Sequence, residues 1–249
     1  MATTFPNTFS ALAVLLRADF TTQWRNRRSV ILVLMVPVII LISWKGAIDK
    51  IGASFALSSC ITIGLTAIGL MGYSNAIARD RDKGVFQRLR VSPVSTSAIM
   101  LSRLMVQLTM ILLTTSIVFI AGFYYVGISL PPLHYLYAFL ASLVGGALYL
   151  GLGQMIVGLV KNAETVNSTT RLVYFVFIMV GMFGEFGILG EQVKEIVKWS
   201  PYGTVKSIIA SSIEPSKWTN KTSLALIVAI LYTFIFSFLG IKWFRWNSK

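Results

Sequence analysis

Charged residues are scarce in this chain of 249 residues. They make up 12% of the sequence, whereas soluble domains carry roughly 25%. Hydrophobic residues make up 55%, and the mean hydropathy is +0.75. This composition excludes an ordinary soluble domain. A membrane span needs about 20 apolar residues, so the chain is long enough for several spans.

Cysteine and histidine are nearly absent. Cys60 is the only cysteine and His134 the only histidine, which excludes an intramolecular disulfide, a cysteine metal cluster and the zinc motif H-E-x-x-H. The phosphate-binding loop G-x-x-x-x-G-K-[ST] is missing too. The apolar stretches also lack the carboxylates that mark a proton or sodium relay, with Glu185 the nearest exception. We therefore expect no catalysis and no cofactor in this chain.

Six apolar stretches predict six transmembrane helices, so the expected fold is all-α and forms one membrane domain over 1–249. The stretches are 30–44, 51–78, 98–126, 135–160, 172–184 and 223–243. The loop from Lys161 to Arg171 is expected to be polar and irregular. The fourth stretch repeats small residues four apart, such as Ala141 with Gly145, which lets another helix approach closely. We expect this helix to lie inside the bundle.

Two further segments are amphipathic. Residues 8–26 have the apolar spacing of a helix that lies along the membrane surface. Residues 185–213 mix short apolar patches with charges and are broken at Pro201, which predicts two short helices that dip into the outer side of the membrane and return. We expect Trp199 and Tyr202 to lie near the outer interface, on the same side as His134. The hairpin would then form part of an outer gate.

Basic residues are distributed unevenly along the chain. With the N-terminus inside, fifteen of the 22 Lys and Arg residues fall in inner segments and seven, including Lys206, in outer segments. Because cytoplasmic loops accumulate Lys and Arg, both termini are predicted to be cytoplasmic. This topology accounts for the net charge of +13, so no nucleic-acid partner is predicted.

The segment 80–93 joins the second and third predicted spans. It reads Asp-Arg-Asp-Lys-Gly-Val-Phe-Gln-Arg-Leu-Arg-Val-Ser-Pro. A plain basic loop would satisfy the positive-inside rule, but Val85, Phe86 and Leu89 are too apolar for a solvated loop. A short amphipathic helix of this kind needs a groove of a partner protein to dock into.

The order of these parts resembles the permease subunits of ABC transporters of the type-2 exporter family. The resemblance covers nearly the whole chain, and its motifs are Lys83-Gly84-Val85-Phe86-Gln87-Arg88-Leu89-Arg90 with Ser92-Pro93, and Trp199-Ser200-Pro201-Tyr202 before the last span. The family usually has Glu-Arg-Glu-x-Gly-Thr at the charged turn. This chain has Asp80-Arg81-Asp82-Lys83-Gly84-Val85 there, with shorter carboxylates and Val in place of Thr.

The resemblance implies an N-terminal elbow helix, a cytoplasmic coupling helix and an extracellular re-entrant hairpin. It also implies a separate ATPase subunit that binds ATP and Mg, and a second permease subunit, identical or homologous, around one path through the plasma membrane of a prokaryote. The residues implied for contact with the ATPase are Asp80, Asp82, Lys83, Gly84, Val85, Phe86, Arg88, Leu89 and Arg90.

The expected substrate is a hydrophobic or amphiphilic molecule of the drug or antibiotic type, because the fifth span offers an apolar, deformable surface. The candidate path or gate residues are Phe175, Met179, Met182, Phe183, Glu185, Pro201 and Tyr202. The same stripe is typical of lipid-facing or core packing. Export of a lipid-linked polysaccharide or of sodium, a passive channel, a membrane scaffold and an integral membrane enzyme are the alternatives.

Overall fold

The computed structural model describes residues 8–25, 27–90 and 96–244, and this part of the chain contains helices and no strand. The predicted all-α fold is therefore confirmed over those residues. Short helical turns lie at Lys45–Ala47, Ile48–Ile51 and Pro215–Lys217, and the longer helices are α1 (Thr8–Arg25), α2 (Arg27–Ser43), α3 (Ala53–Asp82), α4 (Val85–Arg90), α5 (Thr96–Ala121, continued by a π turn Gly122–Val126), α6 (Pro132–Leu159), α7 (Ala163–Glu185), α8 (Glu191–Trp199), α9 (Pro201–Ile213) and α10 (Asn220–Lys242).

Five of the described helices are long and apolar enough to cross a membrane, namely α3, α5, α6, α7 and α10. The chain is a multi-pass membrane protein. The first predicted span, 30–44, lies mostly in α2, which has 17 residues, fewer than the roughly 20 that a crossing needs. A sixth span at this position stays a prediction.

Helix α7 begins well before residue 172, where the fifth span was expected to start. The predicted irregular loop from Lys161 to Arg171 is therefore wrong, because α7 starts at Ala163. The side chain of Asn162 accepts a hydrogen bond of 2.8 Å from the backbone NH of Glu164. This cap starts the helix in a polar stretch that hydropathy alone does not distinguish from a loop.

Helices α3 and α6 form the centre of the bundle. Residues Ala67–Tyr73 of α3 form a π-helical segment, and the Ser74 hydroxyl donates to the Gly69 carbonyl over 2.8 Å. A Cβ atom at Gly69 would overlap the backbone of Tyr149 in α6, and one at Gly153 would overlap the Gly69 carbonyl. The two backbones therefore touch, and the expectation that the fourth span is internal is confirmed.

Helices α8 and α9 form the predicted pair of short helices, but their junction lies deep in the bundle. The Tyr149 hydroxyl donates to the Pro201 carbonyl over 3.3 Å. Tyr149 follows His134 by fifteen residues in α6, which separates the two residues by about 22 Å along the helix axis. The Tyr232 hydroxyl of α10 donates to the Trp199 carbonyl over 3.1 Å. The expected position of Trp199 and Tyr202 at the outer interface is therefore wrong.

The physical reason is that the bundle itself satisfies the broken backbone. The two tyrosine hydroxyls donate to backbone carbonyls, and the Ser200 side chain accepts a hydrogen bond of 3.2 Å from the NH of Gly203. Non-helical backbone is tolerated at membrane depth where protein surrounds it in this way. In addition, Pro201 occupies the first turn of α9, where its missing NH costs little.

Candidate functional site

The charged turn at the end of α3 contains a fully buried arginine. The Arg81 side chain is 2% exposed, and its guanidinium donates to the carbonyls of Val157 at 2.7 Å, Val160 at 2.8 Å and Lys161 at 2.6 Å. The last carbonyls of a helix have no partner within the helix, and the planar fork of arginine can bind several of them at once. Arg81 therefore caps the end of α6.

The next residue binds the start of the following helix. The Asp82 carboxylate accepts a hydrogen bond of 3.1 Å from the backbone NH of Ala163, the first residue of α7. A carboxylate at this position satisfies a free NH and interacts favourably with the helix dipole. Two consecutive residues of the charged turn thus bind both sides of the α6–α7 connection. We call Arg81 and Asp82 the clamp.

The first carboxylate of the turn joins a different set of helices. Asp80 forms an ion pair with Arg103 of α5, and Arg103 also lies 3.8 Å from Asp19 of α1. The Ser102 hydroxyl donates to Asp19 over 2.6 Å. In the described part of the chain, no group of three or more His, Cys, Asp or Glu residues could hold a metal ion. The charged turn is therefore an ion-pair and capping centre that connects α1, α5, α6 and α7.

Helix α4 follows this turn after Gly84, whose φ of +65° suits glycine. Phe86 is 1% exposed, packs edge-on against Phe244 with 5.7 Å between ring centroids, and lies 5.4 Å from the Arg103 guanidinium. The expectation that Phe86 fills a partner's groove is therefore wrong, because Phe86 is part of this chain's own core.

Among the described side chains of the predicted coupling segment, the exposed ones are polar. Asp82, Lys83, Gln87 and Arg88 are exposed, and Gly84 and Val85 are half-buried. The side chains of Leu89 and Arg90, and residues 91–93 of the predicted segment, lie outside the described residues. Any partner that contacts α4 from outside would meet the Gln87 and Arg88 side chains.

A second charged site lies between α7, α9 and α3. Lys206 of α9 forms an ion pair with Glu185 at the end of α7, and their side chains are 4% and 23% exposed. The Lys206 ammonium also lies 3.3 Å from the centroid of the Phe55 ring, a cation–π contact. This pair was not predicted, because Lys206 was counted among the basic residues of an outer segment. The apolar neighbours Val205, Ile208 and Ile209 could have indicated burial.

The predicted path residues divide into two groups. Pro201, Tyr202 and Glu185 lie in the buried zone between α7 and α9, where the Tyr202 ring packs against Gly181. The Tyr202 hydroxyl has no hydrogen-bond partner in the described part of the chain. Phe175 and Phe183 are exposed on α7, and Met179 and Met182 are half-buried. The structure therefore does not bring all seven residues to one cavity.

The end of α9 that lies away from Pro201 is fixed by polar contacts. His134 Nδ1 donates to the Ile213 carbonyl over 2.9 Å, and the Ser54 hydroxyl donates to Glu214 over 3.1 Å. The Lys217 ammonium lies 2.8 Å from the Glu214 carboxylate, and this hydrogen bond lowers the pKa of Glu214 below its usual value, with Ser54 contributing in the same direction. The end of α9 is thus connected to α6 and to the start of α3.

Two comparisons with known proteins bear on this arrangement. Residues 10–203 match the family model described as ABC-2 type transporter. The chain is also similar to Putative transport permease YvfS of Bacillus subtilis (strain 168), with 21% identity over 233 residues, which is 90% of this chain and 92% of that protein. The matched family region extends from α1 to the junction of α8 and α9, and it includes the clamp and Glu185.

Proposed function

Because this chain belongs to the ABC-2 type transporter family, we propose that it is the membrane subunit of an ATP-driven exporter. A separate ATPase subunit binds ATP and Mg and drives the transport cycle, and this chain performs no catalysis. The observation that carries the proposal is the clamp: the turn that leads into α4 holds both the end of α6 and the start of α7. A displacement of α4 is therefore passed to two membrane helices.

The exposed side of α4 is the proposed contact with the ATPase. Gln87 and Arg88 face outward, while Phe86 anchors the helix inside the bundle through Phe244 and Arg103. This division of roles suits the transmission of movement, because the buried side fixes the helix to the permease and the polar side remains available for contact with the ATPase. ATP binding can shift the permease between two states only if the ATPase contacts those states differently.

The proposed path involves α7 and a second permease subunit. Only 22% of the apolar window of α7 is buried within this chain, against 83% for α3, so the aromatic side of α7 remains uncovered in one copy. Phe175 and Phe183 on that side, with the deformable side chains of Met179 and Met182, offer a surface that suits a hydrophobic or amphiphilic substrate. The setting is the plasma membrane of a prokaryote, with both termini cytoplasmic.

The test compares two double variants of the tagged chain, expressed in the native host. Gln87→Glu/Arg88→Glu reverses the charge of the exposed side of α4. Gln192→Glu/Lys194→Glu makes the same change on the exposed surface of α8. We expect only the α4 variant to lose the co-purified ATPase subunit and the ATP-dependent efflux of a hydrophobic dye, while both keep the unfolding temperature of the parent chain. Normal recovery of the ATPase with the α4 variant would refute the proposed contact.

A further inference from the structure

A polar cavity of about 310 Å³ lies between α1, the second half of α3 and the start of α5. We call it the elbow cavity. Its charged lining consists of Asp19, Arg25, Arg79, Asp80, Lys83 and Arg103. The cavity is therefore bounded by the surface helix on one side and by the charged turn on the other.

The charges of the elbow cavity do not cancel. Both carboxylates, Asp19 and Asp80, are directed at Arg103. The side chains of Arg25, Arg79 and Lys83 are exposed, and in the described residues none of the three has a carboxylate within ion-pair distance. Arg103 can neutralise only one of the two carboxylates, so the four cationic and two acidic side chains of the lining leave a net charge of +2, and the elbow cavity attracts anions.

The lining of the elbow cavity contains an unsatisfied polar group. Gln107 of α5 is 5% exposed and lines the cavity, and its side-chain oxygen Oε1 has no hydrogen-bond partner in the described part of the chain. Buried polar atoms in native proteins are normally paired. Ile77 and Val106 provide an apolar wall beside it. The cavity thus combines a cationic rim, a buried polar atom and an apolar wall.

We propose that the elbow cavity binds the phosphate of an anionic phospholipid, with Arg25, Arg79 and Lys83 as its counter-ions. Phosphate supplies the negative charge that the cationic rim lacks, and the apolar wall suits the glycerol and the first carbons of the acyl chains. Basic pockets between membrane helices bind anionic headgroups on the cytoplasmic side. That the lipid belongs to the cytoplasmic leaflet rests on the orientation given under the proposed function, whereas the binding site itself does not depend on that orientation.

The lipid would connect two parts of the molecule. Arg25 belongs to α1, whereas Arg79 and Lys83 belong to the charged turn. One phosphate held by all three would fix the surface helix to the turn that contains the clamp. The ionic contact between Asp19 and Arg103 runs beside this connection.

The test uses the purified full-length chain, delipidated in detergent and without any ATPase, so its outcome is independent of the proposed export function. Native mass spectrometry measures binding of phosphatidylglycerol, phosphatidylcholine and inorganic phosphate. A Lys or Arg near an anionic lipid headgroup contributes about a fivefold gain in affinity. We therefore expect Arg25→Gln/Arg79→Gln/Lys83→Gln to weaken phosphatidylglycerol binding about a hundredfold. The matched control, Lys194→Gln/Lys198→Gln/Lys217→Gln, removes three positive charges elsewhere and should bind as the parent chain does.

Each outcome decides the proposal. One tightly bound phosphatidylglycerol, lost only in the cavity variant and not displaced by millimolar phosphate, supports it. Equal binding of phosphatidylcholine, or equal losses in the two triple variants, overturns it. If inorganic phosphate binds the parent chain and displaces the lipid, the site recognises free phosphate, and the lipid assignment is overturned. If the cavity variant unfolds, the single variant Arg79→Gln is measured, and an affinity unchanged from that of the parent chain also overturns the proposal.

Discussion

Lys206 is a lysine in the interior of a helix bundle that a membrane surrounds. A buried ammonium is stable only when it is paired, because the cost of removing a charge from water is large. Glu185 supplies the opposite charge, and the Phe55 ring supplies a cation–π contact. These contacts also hold α9 against the end of α7 and the start of α3. The pair is therefore both an electrostatic necessity and a fastening of the hairpin.

We predict that the Glu185–Lys206 pair is strongly coupled. Lys206→Met leaves Glu185 without its partner and should destabilise the chain by about 3 kcal/mol, the lower end of the range for broken buried pairs, because Glu185 is partly exposed. Glu185→Gln should also destabilise it. The loss in the double variant should be smaller than the sum of the single losses by about 0.5 to 3 kcal/mol. Unfolding in detergent measures the cycle. Additive losses would contradict the coupling, and Lys194→Met, in an exposed pair, is the control.

Phe86 gives a second prediction at the same scale. Truncation of a buried phenylalanine costs about 3 to 5 kcal/mol, so Phe86→Ala should lower the unfolding temperature of the isolated chain. Gln87→Ala, on the exposed side of the same helix, should leave the free energy of unfolding within about 0.5 kcal/mol of the parent value. A Phe86→Ala chain that unfolds at the parent temperature would show that Phe86 does not stabilise the permease itself.

At the scale of helices, the long apolar stretches were predictable and the polar connections were not. Hydropathy identified the regions of α3, α5, α6, α7 and α10, because a span must be apolar over its full crossing. It misjudged the start of α7 and the depth of the α8–α9 junction, since both depend on caps and hydrogen bonds from other helices. Asn162 and Asp82 cap the start of α7, and two tyrosine hydroxyls donate hydrogen bonds to the backbone carbonyls of Trp199 and Pro201.

The candidate site shows the same division. The charged turn was recognisable from its residues, and the sequence predicted a short helix after it. The partners of that turn were not recognisable, because Arg81 binds backbone carbonyls 76 or more residues away, and carbonyls have no residue-specific pattern. Lys206 was misassigned for a related reason: its pairing with Glu185 depends on α9 running beside α7.

The clamp makes a prediction about local stability. Arg81→Gln removes charge-assisted hydrogen bonds to Val157, Val160 and Lys161, each worth about 1.5 to 3 kcal/mol. Hydrogen exchange should therefore become faster by tenfold or more at the end of α6 and the first turn of α7. Arg171→Gln, at an exposed position of α7, should leave the same amides unchanged. Unchanged protection of these amides in Arg81→Gln would show that Arg81 does not stabilise the end of α6.

At the scale of the whole molecule, the burial of Lys206 changes the count of basic residues that predicts the orientation of the chain in the membrane. With the buried Lys206 and the buried Arg81 both left out of the count, six basic residues remain in the predicted outer segments against fourteen in the inner ones. The expected orientation then places the charged turn in the cytoplasm and α8 toward the outside.

Labelling of single cysteines in intact cells tests this orientation. On a Cys60→Ala background, Lys194→Cys on the exposed surface of α8 should react with an impermeant thiol reagent, and Lys83→Cys should react only after the cells are lysed. The reverse pattern would invert the topology. Both positions are exposed, so a difference in labelling reports the side of the membrane.

The π segment Ala67–Tyr73 has a consequence for the length of the chain itself. A π turn accommodates one more residue than the α-helix it interrupts, and the flanking α-helical halves keep their relative orientation. Loss of one residue there should therefore return α3 to a continuous α-helix, with Arg81 still aimed at α6. We predict that deletion of Met71 yields a folded protein in which the end of α6 remains protected.

Deletion of Val173 is the control, because this half-buried residue lies in α7, a helix without a π segment. The deletion should rotate the rest of α7 by about 100° and separate Glu185 from Lys206. Equal folded yields of the two deletions, measured by size-exclusion chromatography, would contradict this. The π segment thus contains one residue more than a continuous α-helix would need to place the charged turn in the same orientation.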